Sequence, residues 1–305
     1  MTESRERLLD DLRPGAFAVA YRMLGSVAEA EDVVQEALLR LNAALERGER
    51  ISSPRAYLAT VATRLAIDEL RSARARRETY VGDWLPEPLL TAEPAAGDPA
   101  RQAEMADSLS FAFLVLLESL TPEERAVLLL HDVFDYGYGE VAEVVGKSEG
   151  NARQLAVRAR RRIEEGRSRF EGTPEQRQEL GARFFDAAER GDLESLEELL
   201  ARDVVLRGDG GGKVPALARA LHGADRVART LASWGRVGVR AGGETRRAEI
   251  NGRPGMLLFD SGGGLIGAIS IEVSGDRVIG VDSVINPDKL RHLGPVGDMR
   301  GMLRP

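Results

Sequence analysis

The chain of 305 residues has no cysteine. That excludes disulfides, thiolate metal ligands and a cysteine nucleophile. Histidine is scarce: His131, His222 and His292 stand far apart, and none has a metal-binding spacing such as H-E-x-x-H. No apolar run approaches the roughly 20 residues that a membrane-spanning helix needs. The opening stretch MTESRERLLDDLRPG is charged and lacks an apolar core, so it does not read as a secretory signal. Positive charge is in deficit: 42 bases against 49 acids give −7, which argues against a protein that coats nucleic acid without selectivity. The expectation from these absences is a cytoplasmic protein with no metal, no other cofactor and no membrane partner.

A phosphate loop is missing as well, although one stretch imitates it. Gly208 to Lys213 reads GDGGGK. A nucleotide-binding loop has the form G-x-x-x-x-G-K-[ST], with backbone N–H groups around the phosphates and a hydroxyl on Mg2+. Counting back from Gly212 places Arg207 at the first glycine, and Val214 stands where the hydroxyl belongs. Pro215 follows where a helix should continue. The stretch reads as a tight turn that uses glycine for positive φ.

What is present is organised. Hydrophobic residues make up 43%, enough for packed cores, and the length predicts two or three domains. Bases cluster twice: RSARARR over Arg71–Arg77, and Lys147, Arg153, Arg158, Arg160, Arg161 and Arg162. An acidic, proline-rich stretch from Val81 to Asp107 lies between them. Apolar spacing predicts helices over 1–78, with Val33, Val34, Ala37, Leu38 and Leu41 on one inner face, and again over 108–170. Thr121-Pro122-Glu123-Glu124 is a helix start, with Thr as N-cap and Pro in the first turn. After Gly172 come helical patterns at 175–190 and 192–201. Strand-like runs follow at 248–250, 256–259, 265–273 and 278–284, with Asn251-Gly252 and Ser274-Gly275-Asp276 as hairpin turns. The segment 291–305 is punctuated by Gly and Pro and is expected to be a mobile tail.

The most specific segment runs from Tyr138 to Ile163, YGEVAEVVGKSEGNARQLAVRARRRI. Val141, Ala142 and Val145 form the inner face of a short helix, Gly146 ends it, and Ser148 caps the next. There Ala152, Ala156, Ala159 and Ile163 make a buried stripe, while Asn151, Gln154, Arg158 and Arg161 share the outer face. Amide and guanidinium groups on such a face suit base edges in a major groove, and the arginine-rich end suits phosphates. On residues alone, the other reading is a solvated basic helix of an α-domain.

This segment closely resembles region 4 of the extracytoplasmic-function sigma factors, which binds the promoter −35 element. AEDVVQEALLRL (Ala30–Leu41) resembles region 2.2, which docks on the clamp helices of RNA polymerase β′. PRAYLATVATRLAIDELRSARARRE (Pro54–Glu78) resembles regions 2.3 and 2.4, which melt and read the −10 element; Arg64 stands where the family often has Asn. WLPEP (Trp84–Pro88), DGGGK (Asp209–Lys213) and NPDKL (Asn286–Leu290) together resemble the sigma-J-type subgroup, whose sigma module is fused to a C-terminal SnoaL-like domain.

The resemblance implies a multidomain chain: two all-α sigma modules and an α+β NTF2-like, SnoaL-like cone. Region 2 is expected over 8–80, an acidic linker over 81–107, region 4 over 108–170 and the cone over 175–290. Core RNA polymerase and promoter DNA are the implied partners. Contacts to the −35 element fall on Ser148, Asn151, Arg153, Gln154, Arg158 and Arg161, and to the −10 element on Thr60, Arg64, Asp68, Arg71 and Arg74. Asp32, Gln35, Glu36 and Leu39 form the polymerase-binding face. An interdomain regulatory set comprises Trp84, Pro86, Glu87, Asp209, Gly211, Lys213, Asn286, Asp288 and Lys289. The two C-terminal motifs are expected to pack on the sigma module near Trp84–Pro88, with Lys213 meeting Glu87 or a region-2 carboxylate.

Cone folds leave an apolar cavity, so a small ligand and acid–base chemistry are weighed as well. Asp186, His222, Asp260 and Asp282 are the groups on offer, and no pair stands out. The expected function is that of a sigma factor, not an enzyme. The alternative is a DNA-binding regulator fused to a SnoaL-like enzyme or ligand-binding domain.

Overall fold

The computed structural model describes residues 2–77, 80–91, 108–166 and 173–302. They fall into two compact units, one built from 1–78 and 113–167, the other from 79–112 and 168–305.

The first unit is helical. Helices α1 (Thr2–Leu24), α2 (Val27–Glu46) and α3 (Pro54–Arg77) pack pairwise. Ser26 caps α2 by accepting the Glu29 N–H at 3.2 Å. The buried stripe of α2 is Ala30, Val33, Val34, Ala37, Leu41 and Ala44. Further along the chain come α4 (Phe111–Leu117), α5 (Pro122–Leu128), a π-helical turn (Leu129–Val133), α6 (Tyr138–Val145) and α7 (Glu149–Gly166). Thr121 starts α5 with a full capping box, the Thr121 and Glu124 side chains each taking the other's backbone N–H. Gly146 closes α6 in the left-handed region at φ 65°, and the Ser148 hydroxyl accepts the Asn151 N–H at 3.3 Å to open α7. Ala152 and Ala156 of α7 pack on Val127, Leu130, Val141, Ala142 and Val144. Val144 is the fully buried one; Val145, expected on the inner face, is only partly covered.

Arginines join the two helical segments within this unit. Buried Arg125 donates to the Met23 carbonyl (2.6 Å), the Leu117 carbonyl (3.1 Å) and the Glu118 carboxylate (2.8 Å). Met23 lies in the last turn of α1, whose carbonyls have no partner within the helix. Arg22, its guanidinium 5.4 Å from the Phe134 ring centroid, is lowered by burial to about 10.

The second unit is α+β, the class the resemblance implied. Helices α8 (Pro174–Arg190), α9 (Leu193–Leu199) and α10 (Ala224–Arg240) cover a six-stranded sheet in the order β2-β1-β6-β5-β4-β3. The strands are β1 (Leu200–Asp209), β2 (Leu221–His222), β3 (Glu244–Ile250), β4 (Arg253–Phe259), β5 (Leu265–Ser274) and β6 (Arg277–Val284). Among these six strands β1 and β6 pair in parallel and the other neighbours antiparallel. The core joins Phe184, Phe185, Leu196, Val227 and Leu231 of the helices to Leu206, Met256, Ile269, Ile271 and Val281 of the strands. Asn251 and Gly252 both take positive φ (53° and 70°), as a tight two-residue hairpin requires.

Three sequence expectations change. The helix expected over 192–201 stops at Leu199, and residues 200–209 form a strand that periodicity did not reveal. Its charged residues hide the alternation, and its place is fixed by pairing with β6, about 75 residues away in sequence. The segment 291–305 was expected to be mobile; its described part, 291–302, carries a 3-10 turn (Arg291–Leu293) and helix α12 (Met299–Met302). Val296 bridges to Leu265, with Leu265 N–H donating to Pro295 (2.8 Å) and Gly297 N–H to Leu265 (2.9 Å), so the segment satisfies backbone groups at the start of β5. The linker expected over 81–107 is not a separate connector throughout, because 80–91 belong to the second unit. The remainder, 92–107, lies outside the described residues.

Gly235 lies where α10 crosses α8, and a Cβ there would overlap the Ala188 carbonyl oxygen. Helix propensity alone favours alanine by about 1 kcal/mol. Overpacking against a backbone atom opposes it and costs about 1–3 kcal/mol. Gly235→Ala is therefore expected to lower the urea midpoint of the full chain at unchanged m. A raised midpoint would mean the helices part freely at this crossing.

Candidate functional site

Strand β1 ends on Asp209, whose side chain is 0% exposed. A carboxylate without water must find donors inside the protein. Its Oδ1 accepts from the Tyr80 hydroxyl (2.5 Å) and the Gly211 N–H (3.0 Å). Its Oδ2 accepts from the Leu85 N–H (2.9 Å) and Lys289 Nζ (2.7 Å). Burial and the Asp209 carboxylate push the Tyr80 phenol up, so it stays a proton donor. The Asp209 carbonyl is used too, by the N–H groups of Ile285 (2.8 Å) and Asn286 (3.0 Å).

Lys289 comes from α11 (Pro287–Leu290), the four-residue helix after β6. It also donates to the Leu85 carbonyl, and its Nζ lies 4.3 Å from the Trp84 ring centroid and 5.1 Å from that of Tyr80. Asn286 caps α11 through the Asp288 N–H (3.1 Å) and donates its amide to the Tyr80 hydroxyl (2.9 Å). Two glycines of GDGGGK sit where a side chain would not fit. Gly211 has φ 59°, and a Cβ on it would overlap the Asn286 amide; a Cβ on Gly210 would lie 2.6 Å from the Val214 carbonyl oxygen.

The structure thus brings together Trp84, Asp209, Gly211, Asn286 and Lys289, with Pro86 buried in the same segment. It places this cluster inside the second unit, since Tyr80–Thr91 are part of that unit. Lys213 does not meet Glu87. It is an exposed residue that pairs with Asp288, and its carbonyl accepts from Arg300 Nε at 2.8 Å. Glu87 lies 3.9 Å from His292, which also donates to the Pro88 carbonyl (2.7 Å). Further along, Asn251 accepts the Leu89 N–H on its side chain and donates its own N–H to the Leu89 carbonyl, both at 2.8 Å. Leu90 bridges to Ile250, the last residue of β3. Sequence reasoning missed Tyr80, Leu85, Asn251 and His292. The signal for Tyr80 was faint: a lone aromatic after the arginine-rich helix end.

On α7, Asn151, Arg153, Gln154, Arg158 and Arg161 are exposed, beside the cap residue Ser148. Arg153 pairs with Glu149 (2.6 Å) and lies 4.5 Å from the Tyr138 ring centroid. Arg160 forks onto Asp132 (2.8 Å for its Nε), which raises it further, and Arg162 pairs with buried Glu124 (2.7 Å).

On α2, Asp32, Gln35 and Leu39 point outward, Leu39 being 57% exposed, while Glu36 is paired with Arg40 (2.7 Å).

The α3 set is less free than expected. Thr60 donates to the Ala56 carbonyl (2.8 Å). Arg64 donates to the Glu143 (2.7 Å) and Val144 (3.0 Å) carbonyls, capping the C-terminus of α6. Arg71 bonds Glu123 at 2.5 Å, which raises the guanidinium, and pairs with exposed Asp68 at 3.3 Å. The side chain of Arg74 lies outside the described residues.

Three of the acid–base candidates have structural partners. Asp186 pairs with Arg247 (2.7 Å). Asp260 takes the N–H groups of Gly262, Gly264 and Asp298, each at 2.9 Å, which hold its carboxyl low. Buried Asp282 is bridged by both ends of Arg207 at 2.7 and 3.0 Å. His222 is exposed at the end of β2. Among the described residues no group of three His, Asp or Glu could hold a metal. A cavity of about 190 Å3 lies by the Lys213–Val214 loop, among Ile266, Ile285, Leu290 and Val296, rather than among the core residues between helices and sheet.

Comparison with known proteins follows this division. Residues 8–76 match Sigma-70 region 2 and residues 110–163 match Sigma-70, region 4. The chain is 40% identical over 288 residues to the ECF RNA polymerase sigma factor SigJ of Mycobacterium tuberculosis (strain ATCC 25618 / H37Rv), covering 91% of this chain and 90% of that protein. It is 32% identical over 280 residues to the probable ECF RNA polymerase sigma factor SigI of Mycobacterium tuberculosis (strain CDC 1551 / Oshkosh), covering 89% and 90%. The crystal structure of Mycobacterium tuberculosis SigJ superposes with a TM-score of 0.74 at 36% identity, over 94% of this chain and 98% of that one.

Removing one member of a buried ion pair strands the other, at a cost of about 3–5 kcal/mol. Asp209→Ala and Lys289→Ala are each expected to lower stability in urea and to expose the 80–91 segment to protease. The double variant should lose less than the sum, with a coupling of about 0.5–3 kcal/mol. Additive losses would mean that the pair does not act as a unit.

Proposed function

Since the chain belongs to the extracytoplasmic-function family of RNA polymerase sigma factors, directing promoter-specific initiation, we propose a division of labour among its parts. The outer face of α7, with Asn151, Gln154, Arg158 and Arg161, reads the −35 element, Ser148 and Arg153 flanking it. The −10 element is met by α3 through Thr60, Arg64, Asp68, Arg71 and Arg74. Asp32, Gln35, Glu36 and Leu39 of α2 meet the β′ clamp helices of core polymerase. Polymerase makes the bonds. The C-terminal domain carries no chemistry in this reading, which is supported by the structural commitments of Asp186, Asp260 and Asp282.

The C-terminal domain regulates by holding the linker. The observation that carries this is the Asp209–Lys289 pair wrapped around Tyr80, Trp84 and Leu85. Region 2 ends with α3 at Arg77, and the helices of region 4 begin at Phe111. An extended chain reaches about 3.3–3.6 Å per residue. Fixing 80–91 therefore removes the freedom of about 40 Å of extended chain from the connection between the two promoter-reading regions. The seam in the first unit acts in the same direction, since Arg64 and Arg71, assigned to −10 contacts, are donated to region 4 elements. Both contacts disfavour the separated arrangement that two promoter elements require, and the sign of regulation is inhibitory. Couplings of this kind amount to about 1–3 kcal/mol, so release changes activity about five- to a hundredfold.

Two outcomes are expected. Asp32→Lys combined with Glu36→Lys should abolish co-purification with core polymerase while the thermal unfolding curve stays in place; retained association by the folded variant would remove α2 from the interface. Trp84→Ala combined with Lys289→Ala should raise run-off transcription from a promoter selected by the holoenzyme. Unchanged or lower output at equal occupancy of core would refute the inhibitory sign.

A further inference from the structure

We propose that Val157 is a specificity residue that reads a thymine 5-methyl group in the −35 element. The inference rests on the −35 reading of α7. Val157 is 63% exposed. It stands one turn after Gln154 and one turn before Arg161, on the same outward side of the helix. The buried side is already filled by Ala152, Ala156, Ala159 and Ile163.

The fold gives no reason for valine there. A β-branched side chain is a poorer helix former than alanine, because its χ1 is restricted against the preceding turn. Left in water, it gains nothing from burial either. Among its basic neighbours Arg153 pairs with Glu149 beside Tyr138, Arg160 with Asp132 and Arg162 with Glu124. The outer face carries two amides (Asn151 and Gln154), an apolar branched group (Val157) and two guanidinium groups (Arg158 and Arg161).

Major-groove chemistry gives each a counterpart. An amide bonds adenine through N6 and N7, and a guanidinium bonds guanine through O6 and N7. Thymine alone presents a methyl group, which takes an apolar partner. Cβ atoms one helical turn apart lie about 5–6 Å from each other, and successive bases rise about 3.4 Å. Gln154 and Val157 therefore address neighbouring base pairs, and the pairing of an amide with an apolar group suits a stretch of A·T pairs. The stiffness that makes valine a poor helix former helps here, since little rotamer freedom remains to be lost on contact.

The test uses holoenzyme assembled from the full chain and core polymerase, on a promoter duplex selected by that holoenzyme from a random library. Each −35 thymine is replaced in turn by deoxyuridine, which removes only the methyl group. One replacement should weaken binding about fourfold, the worth of burying a single methyl. Val157→Ala should cause a similar loss on the unmodified duplex and none on that deoxyuridine duplex. Arg158→Ala and Arg161→Ala separate the two levels. If they weaken binding while Val157→Ala loses equally on every duplex, or not at all, the thymine contact is wrong and the −35 reading stands. If all three leave binding unchanged, the −35 reading itself falls, and this inference with it.

Discussion

The buried carboxylate of Asp209 is the constraint around which the second unit is organised. A charge with no water must be answered by donors from whatever chain segments can reach it. Here they come from the linker (Tyr80, Leu85), from the turn that follows β1 (Gly211) and from α11 (Lys289). Because the donors are on segments far apart in sequence, one residue defines the path of the linker, the shape of the glycine turn and the position of the last helices. Gly211 is a consequence: a Cβ there would overlap the Asn286 amide.

The first unit solves a related problem with guanidinium groups. Arg125 and Arg64 each end a helix of one region from a residue of the other, by donating to carbonyls that the helix cannot satisfy itself. An arginine fork suits this, since it presents several donors in fixed geometry. Unlike an apolar contact, such a seam is replaceable by other acceptors. Under the −10 reading proposed above, phosphate oxygens would compete with these acceptors for Arg64 and Arg71.

Much was legible in the sequence because it is local. The Thr121 cap, the Gly146 stop, the alanine stripe of α7 and the Asn251-Gly252 hairpin are each specified within a few residues and appear where expected, whereas spacing did not place helix α10 (Ala224–Arg240). Strand β1 was not legible, because its pairing with β6 is long-range and charges mask its alternation. The three motifs around Trp84, Asp209 and Asn286 could be seen to belong together through family resemblance, but not how. Tyr80 and Leu85 act through a hydroxyl and a backbone N–H, which leave no mark on composition. Lys213 looked like the functional cation by adjacency to the glycines. The buried one is Lys289, 7% exposed, and only the fold tells the two apart.

The Tyr80 hydroxyl accepts from Asn286, 206 positions later in the chain, and the Leu85 carbonyl accepts a hydrogen bond from Lys289, 204 positions later. A ribosome working at about 5–20 residues per second finishes α7 roughly 6–25 seconds before it reaches Lys289. Through that interval the complete promoter-reading part is outside or emerging while its linker has nothing to dock on. The linker therefore stays undocked until Lys289 has emerged, and under the inhibitory reading proposed above restraint arrives only then. Premature termination or C-terminal clipping would yield a factor that lacks its clamp but keeps every residue proposed to touch DNA and polymerase.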